Sequence, residues 1–374
     1  MFWCKHSIVT KPPLVTIVIP TYNYGSYVIE AVRSAASQSY SHLEIIVVDD
    51  GSTDETAETL ERMKDELPAL QVITTEHCGV SHARNCGTRA GRGAYVAYLD
   101  ADDLWHPSKI EKQVEAMAQH EGDPEWAAVY CLFRPINEHG MILGSAPAVE
   151  TRGYFFARHL VINPIGNGSG MMMRRDLIID LGGFDPALTH CEDLDVQLRI
   201  SKRYKIELVR EYLVGYRQHS NSASTHHLRM AKAVMDIADK HTAGKEIPAE
   251  LRKATFAAAD RYLWFKYLRG GAWWLGCKTF FKALTAEPLA TFDDLMVRAT
   301  PSFHRRFAAF RSKVAVDGAA TTKHFFDMDP LSGVTLHEPP AFARLSQRFE
   351  RFDAQLYERF AKRHSEARPK GEKG

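Results

Sequence analysis

Three groups of residues in this chain carry enough charge to do chemistry. The densest is Asp100-Ala101-Asp102-Asp103, three carboxylates in four residues, directly behind the apolar run Tyr95-Val96-Ala97-Tyr98-Leu99. Carboxylates this close repel one another, and a hard, oxygen-preferring cation such as Mg2+ or Mn2+ is their natural counter-charge. A solvated turn would explain the same residues without a metal, with Asp103 capping the helix that Pro107 and Ser108 announce. The second group, Glu192, Asp193 and Asp195, opens a helical pattern carried by Leu194, Leu198 and Ile200, where acids complement the positive end of the helix dipole. The third is Arg217-Gln218-His219, closing the strand-like run from Tyr212. A lone histidine at a strand end is usually structural, and Arg217 suits either a phosphate or an ion pair in the core. Cys78, His82 and Cys86 fall at i, i+4 and i+8, a spacing that aligns them on one helix face within reach of a soft metal.

The elements that must position these groups alternate regularly. Leu14 to Ile19 is a β-branched run ending at Pro20 and the turn-rich Thr21-Tyr22-Asn23-Tyr24-Gly25-Ser26. Helical periodicity follows through Val28, Ala31, Val32 and Ala35. A second strand, Leu43 to Val48, runs into Asp49-Asp50-Gly51 and a helix reaching about Glu66. A third, Gln71 to Thr75, leads to Gly79 and a short helix carrying Arg84 and Asn85, and the fourth ends in the acidic cluster. Strand and helix in strict alternation predict a doubly wound α/β sheet. Such sheets bind ligands outside the carboxyl ends of their strands, which puts Pro20 to Tyr22, Asp49, Asp50, Arg84, Asn85 and Asp100 to Asp103 on one rim. Acids, an arginine and a metal on one rim suit a nucleoside diphosphate. GxGxxG and the P-loop are both absent after the first strand, which argues against dehydrogenases and P-loop NTPases. A sugar nucleotidyltransferase would want a glycine-rich, basic loop where this chain has Pro-Thr-Tyr-Asn.

With 374 residues, the chain has room for one large domain and an appendage, or for two domains. A net charge of +1 conceals an asymmetry: residues 1–225 carry 21 basic and 29 acidic side chains, residues 226–374 carry 26 and 17. The basic second part suits an anionic membrane surface better than a nucleic-acid channel. Six cysteines without a CxxC pair read as reduced thiols in a cytoplasmic protein. The N-terminus has no continuous apolar stretch of the signal-peptide kind, and no run is long and apolar enough to span a bilayer.

The ordered set IVIPTYN, VVDDGSTD, GVSHARNCGTRAGRGAYVAYLDADD, GGFDPAL and CEDLDVQLRI, over roughly residues 14–220, resembles the family 2 glycosyltransferases. That resemblance implies the GT-A fold, a mixed and mostly parallel sheet with flanking helices, and a nucleotide-activated sugar as donor, UDP-sugars first. It implies that Asp50 holds the base edge, that Pro20, Tyr22 and Arg84 line the nucleotide pocket, and that Asp100 faces the ribose. Asp102 then ligates Mn2+ or Mg2+, with His219 as second ligand. Asp193 is the general base, and Glu192 and Arg217 are auxiliary or acceptor-side residues. The acceptor is expected to be a glycan or lipid-linked, in envelope or exported polysaccharide synthesis. The Cys78/His82/Cys86 alignment then becomes incidental.

The remainder is less regular. Trp126 to Leu132 reads as a strand, Asn137 to Gly140 as a hairpin turn, and the glycine-rich 163–170 as an acceptor-side loop or chain reversal. The catalytic domain is expected over 14–225 and a helical region over 226–300. There Trp264, Trp273, Trp274, Phe280 and Phe281 interleave with Lys266, Arg269, Lys278 and Lys282, suiting a helical hairpin or a membrane-surface face. A helical tail over 301–364 and a disordered 365–374 complete the expectation. A catalytically inactive nucleotide-sugar-binding scaffold is the alternative reading, against which the intact acids speak.

Overall fold

The computed structural model describes residues 12–144, 150–219, 227–299, 324–331 and 340–362. The alternating first part folds as expected: β1 (Val15–Thr21), α1 (Gly25–Ala36), β2 (Leu43–Asp49), α2 (Thr56–Glu66), β3 (Leu70–Thr74), α3 (Val80–Ala90) and β4 (Tyr95–Tyr98). There follow β5 (Leu104–Trp105), α4 (Lys109–Ala118), β6 (Trp126–Ile136), α5 (Phe156–Ile162), β7 (Met171–Arg174), α6 (Arg175–Asp180), α7 (Glu192–Ser201) and β8 (Lys205–Arg217). The eight strands form one sheet in the order β3-β2-β1-β4-β7-β6-β8-β5. The first four are parallel. β7 runs antiparallel to both β4 and β6, β8 is parallel to β6, and β5 is antiparallel to β8.

The period of two along each strand divides the core. Val15, Ile17 and Ile19 of β1, with Ile45 and Val47 of β2, meet the apolar faces of α1, α2 and α4 on one side. Val18, Ile46, Val48, Val96 and Tyr98 meet α3, α6 and α7 on the other. Covered on both faces, these strands read as unbroken apolar runs. Gly87 lets α3 lie directly on β1, since a Cβ there would come within 2.4 Å of Val18 Cγ1. The order of strands reverses at β1, which has β2 on one side and β4 on the other, opening a crevice at its carboxyl end.

The sequence reading left Met171–Arg174 without an element, because a methionine run shows no alternation. It is a central strand, β7, whose two edges are covered by β4 and β6. The hairpin expected at Asn137 is present, with Asn137 N–H donating to the Met141 carbonyl and Ile136 bridging to Ile142.

Beyond β8 come α8 (His227–Thr242), α9 (Ala249–Arg269), α10 (Trp273–Ala286), α11 (Pro288–Ala299), a 3-10 turn at Phe325–Asp327 and α12 (Pro340–Leu356), which runs into a π-helical segment, Tyr357–Lys362. Leu345, Phe349, Phe352 and Leu356 of α12 are buried together with Phe156, Leu160, Leu198, Ile237 and Leu251. One core therefore joins these helices to α5 and α7. No helix among the described residues is long and apolar enough to cross a membrane. The expected disordered end, 365–374, lies outside the described residues, as does most of 301–340.

Candidate active site

The three carboxylates behind β4 have separate partners. Asp100 Oδ1 accepts from Arg84 Nη2 at 2.6 Å. Asp102 Oδ2 lies 2.9 Å from His219 Nε2, delivered by the end of β8. Asp103 turns inward and is buried, accepting from the Ser169 hydroxyl at 2.6 Å and the Arg217 N–H at 2.9 Å. Burial and the charges of Asp102 and Asp100 push its carboxyl upward from the usual range. The cap role expected of Asp103 is thereby corrected: Ser108 stands at the start of α4, with no side-chain cap bond. The run behaves as three sites, with Asp100 and Asp102 left part-exposed.

Arg84, buried in α3, also donates Nη1 to Glu192 Oε1 at 2.6 Å. It thus ties the acidic strand end to the first turn of α7, and both carboxylates hold its guanidinium firmly protonated against the cost of burial. Asp193 stands beside this bridge. A Cβ on Gly168 would lie 3.4 Å from Arg84 Nη2, 3.6 Å from Asp193 Cβ and 3.7 Å from Asp100 Oδ2. Gly168 therefore stands where Arg84, Asp193 and Asp100 meet. Burial and neighbouring Glu192 push the Asp193 carboxyl up to about 7, against the pull of Arg84.

At the other end of the rim, Asp50 is buried and accepts from the N–H groups of Cys78 at 3.0 Å and Gly79 at 2.8 Å, with His77 Nδ1 2.9 Å away. It fixes the loop between β3 and α3. Tyr22, 37% exposed, stacks on His77 with ring centroids 3.9 Å apart. Pro20 is buried inside β1 opposite Val48. Tyr22, Asp50, Arg84, Asp100, Asp102 and Asp193 thus lie along one rim, at β1, β2, α3, β4 and α7.

Residues 16–182 match the family described as glycosyl transferase family 2. These residues form a glycosyl transferase family 2 domain. An uncharacterized glycosyltransferase of Rickettsia prowazekii is 29% identical over 231 residues, which are 60% of this chain and 70% of the relative. An Escherichia coli protein named UDP-Glc:alpha-D-GlcNAc-diphosphoundecaprenol beta-1,3-glucosyltransferase is 40% identical over 105 residues, 28% of this chain and 41% of that one. Among solved structures, a mannosyltransferase of Pyrobaculum calidifontis in complex with GDP-Man and Mn2+ superposes with a TM-score of 0.54 at 23% identity, covering 80% of this chain and 86% of that one. The architecture is the GT-A fold, and the protein is a glycosyltransferase whose relatives include enzymes of envelope polysaccharide synthesis.

The residues expected to hold a metal, Asp102 and His219, are chemically compatible with a divalent cation. No group of three His, Cys, Asp or Glu side chains gathers as a metal site among the described residues. The Asp102–His219 pair supplies one carboxylate and one imidazole, leaving positions for phosphate oxygens and water, as Mn2+ and Mg2+ sites built around a diphosphate do. Burial first, and then the charges of Asp102, Asp100 and Asp103, push the nearby Tyr24 phenol well above its ordinary value. Tyr24 and Tyr27 hold the His219 ring at centroid distances of 5.8 Å and 5.0 Å.

Arg217, left open between a phosphate and the core, belongs to the core. It is buried, with Nε donating to the Asp102 carbonyl at 2.6 Å, Nη1 to the Glu138 carbonyl, and Nη2 to Glu30 at 2.7 Å. The Cys78/His82/Cys86 face does not form, because α3 starts at Val80 and leaves Cys78 off the helix. Asn85 clamps the turn after α6 through the Phe184 N–H and carbonyl, at 2.8 Å and 2.7 Å.

The glycosyltransferase also uses residues that sequence reasoning did not single out. Ser169 bonds Asp103 and the Asp100 N–H, and Trp105 donates its indole N–H to the Ser169 carbonyl at 2.9 Å. The loop 163–170 is therefore part of the acidic end. Behind Asp193, the buried Asp195 receives Arg199, His241 and Lys240 at 2.8 to 2.9 Å, so α8 holds α7 in place. Asp195 stands in the quoted acidic run, but nothing in the sequence names His241 as its partner.

Proposed function

We propose that this glycosyltransferase is an inverting, metal-dependent enzyme carrying a sugar from a UDP-sugar to a hydroxyl of a glycan or lipid-linked acceptor, in envelope or exported polysaccharide synthesis at the cytoplasmic face of a membrane. Catalysis resides in residues 14–225. The observation that carries this reading is Asp193: a carboxyl raised to about 7, standing with Asp100 and Arg84 around Gly168. A base titrating near working pH is well matched to hydroxyl deprotonation. The acceptor oxygen bonds to the anomeric carbon as its proton passes to Asp193 and the bond to the diphosphate oxygen breaks, inverting the configuration. Asp50, Tyr22 and Pro20 position the nucleoside, Asp100 the ribose, and Arg84 keeps Asp100 and α7 in register. Asp102 and His219 would hold Mn2+ or Mg2+. That metal, when bound, neutralises the charge of the departing diphosphate.

The UDP preference is supported by the donor in the name of the Escherichia coli relative, and the metal by the Mn2+ held in the Pyrobaculum calidifontis mannosyltransferase complex. Asp193→Asn should retain calorimetric affinity for UDP with Mn2+ and lose turnover by about a hundredfold or more. A fully active variant would remove Asp193 from the base role. Absence of UDP release by the wild-type protein from any UDP-sugar and acceptor would favour an inactive binding protein.

A further inference from the structure

The hairpin of α9 and α10 has one face that no described part of the chain covers. Gly276, Thr279 and Ala283 bury the inner side of α10, and Phe280 packs edge-on against the buried Trp264 of α9 at 5.2 Å. On the outer side Trp273, Trp274 and Phe281 are 68%, 77% and 61% exposed, and Leu289 and Phe292 of α11 are exposed as well. Lys278 lies among them, exposed, and so does Lys282, which reaches Asp260 only at 4.0 Å. Residues 273–286 contain no acidic side chain, and Glu287 beyond them is paired with Arg348.

Exposed tryptophan and phenylalanine cost free energy in water but sit well at the headgroup level of a bilayer, with lysines beside them reaching anionic phosphates. We propose that the Trp273/Trp274/Phe281 face, with Lys278 and Lys282, docks this protein on an anionic lipid surface. The charge pattern selects that occupant. A protein partner covering an apolar face needs no surplus of one sign, whereas α10 is purely basic and the whole second part of the chain, residues 226–374, has 26 basic against 17 acidic side chains. Docking through this face gives a physical place to the membrane-side reading proposed above. Vesicle binding and release of UDP from donor are independent readouts, and either can fail alone.

The full chain should co-sediment with vesicles of phosphatidylcholine containing phosphatidylglycerol, more weakly with phosphatidylcholine alone, and less as salt rises. The variant combining Trp273→Ala, Trp274→Ala and Phe281→Ala, and separately Lys278→Gln with Lys282→Gln, should each weaken binding to the anionic vesicles about tenfold or more, with donor hydrolysis and thermal midpoint unchanged. The lysine pair keeps the question answerable should the aromatic variant fold poorly. Wild-type protein that ignores the vesicles, or variants that bind as wild type, would overturn the proposal. So would a wild-type dimer in sedimentation velocity that the aromatic variant dissolves, because a second copy would then be the occupant.

Discussion

At Asp100, Asp102 and Asp103 the fold solves like-charge crowding by giving each carboxylate a different neighbour: Arg84, His219, and the pair Ser169 with Arg217 N–H. Roles should separate along the same lines. Asp102→Ala should abolish Mn2+-dependent UDP binding in calorimetry, whereas Asp103→Asn should keep that binding while lowering the thermal midpoint, because Asp103 supports backbone and loop. For Asp193 the sign of the pH effect follows from its role. A base must be ionised, so kcat/KM should rise with pH through an acid limb near 7, and Asp193→Asn should erase that limb. Asp102 and Asp193 stand out in the sequence because each lies in an Asp-rich run. The separation of Asp103 from its neighbours does not, because it depends on Ser169, which the chain supplies 66 residues later.

Helix α7 carries the proposed base and is held at both sides. Arg84 grips its first turn through Glu192, and Lys240 and His241 of α8 grip it through Asp195, whose ionised form these partners favour strongly despite the cost of burial. Asp195→Ala would leave Arg199, His241 and Lys240 without the buried carboxylate they share. A loss of about 3 kcal/mol in urea denaturation is expected, the size usual for breaking a buried charge network, together with reduced turnover as the α7 start shifts. Strands and helices with one clear period were readable: β1, β2, β3, β4 and α2 end within a residue or two of expectation. β7 was not, since a run of three methionines has no alternation and becomes a strand only through β4 and β6. The glycine-rich 163–170 reads as a loop from its composition, but its place beside the acidic end depends on Ser169 meeting Asp103 and on Gly168 lying near Asp193, which only the packed structure shows.

At the scale of the molecule, the helices after β8 bear on the catalytic part through α5. Asp353 of α12 accepts from Arg158 Nε and from the Ala157 N–H, both at 2.6 Å, beside the shared cluster of Phe156, Leu198, Leu251 and Phe349. Asp353→Ala should cost about 3 kcal/mol of unfolding free energy in denaturant titration, because Arg158 is left nearly buried and unpaired. The strand order also has a temporal side. Asp102 and His219 are 117 residues apart, and at roughly 5–20 residues per second of synthesis their meeting is delayed by on the order of ten seconds. Through that interval β1 to β4 can pair while their acidic ends lack both His219 and Arg217. A nascent chain halted before residue 217 therefore carries a cluster of carboxylates without the His219 and Arg217 partners, and the acidic end is completed only once the second half of the chain has begun to emerge.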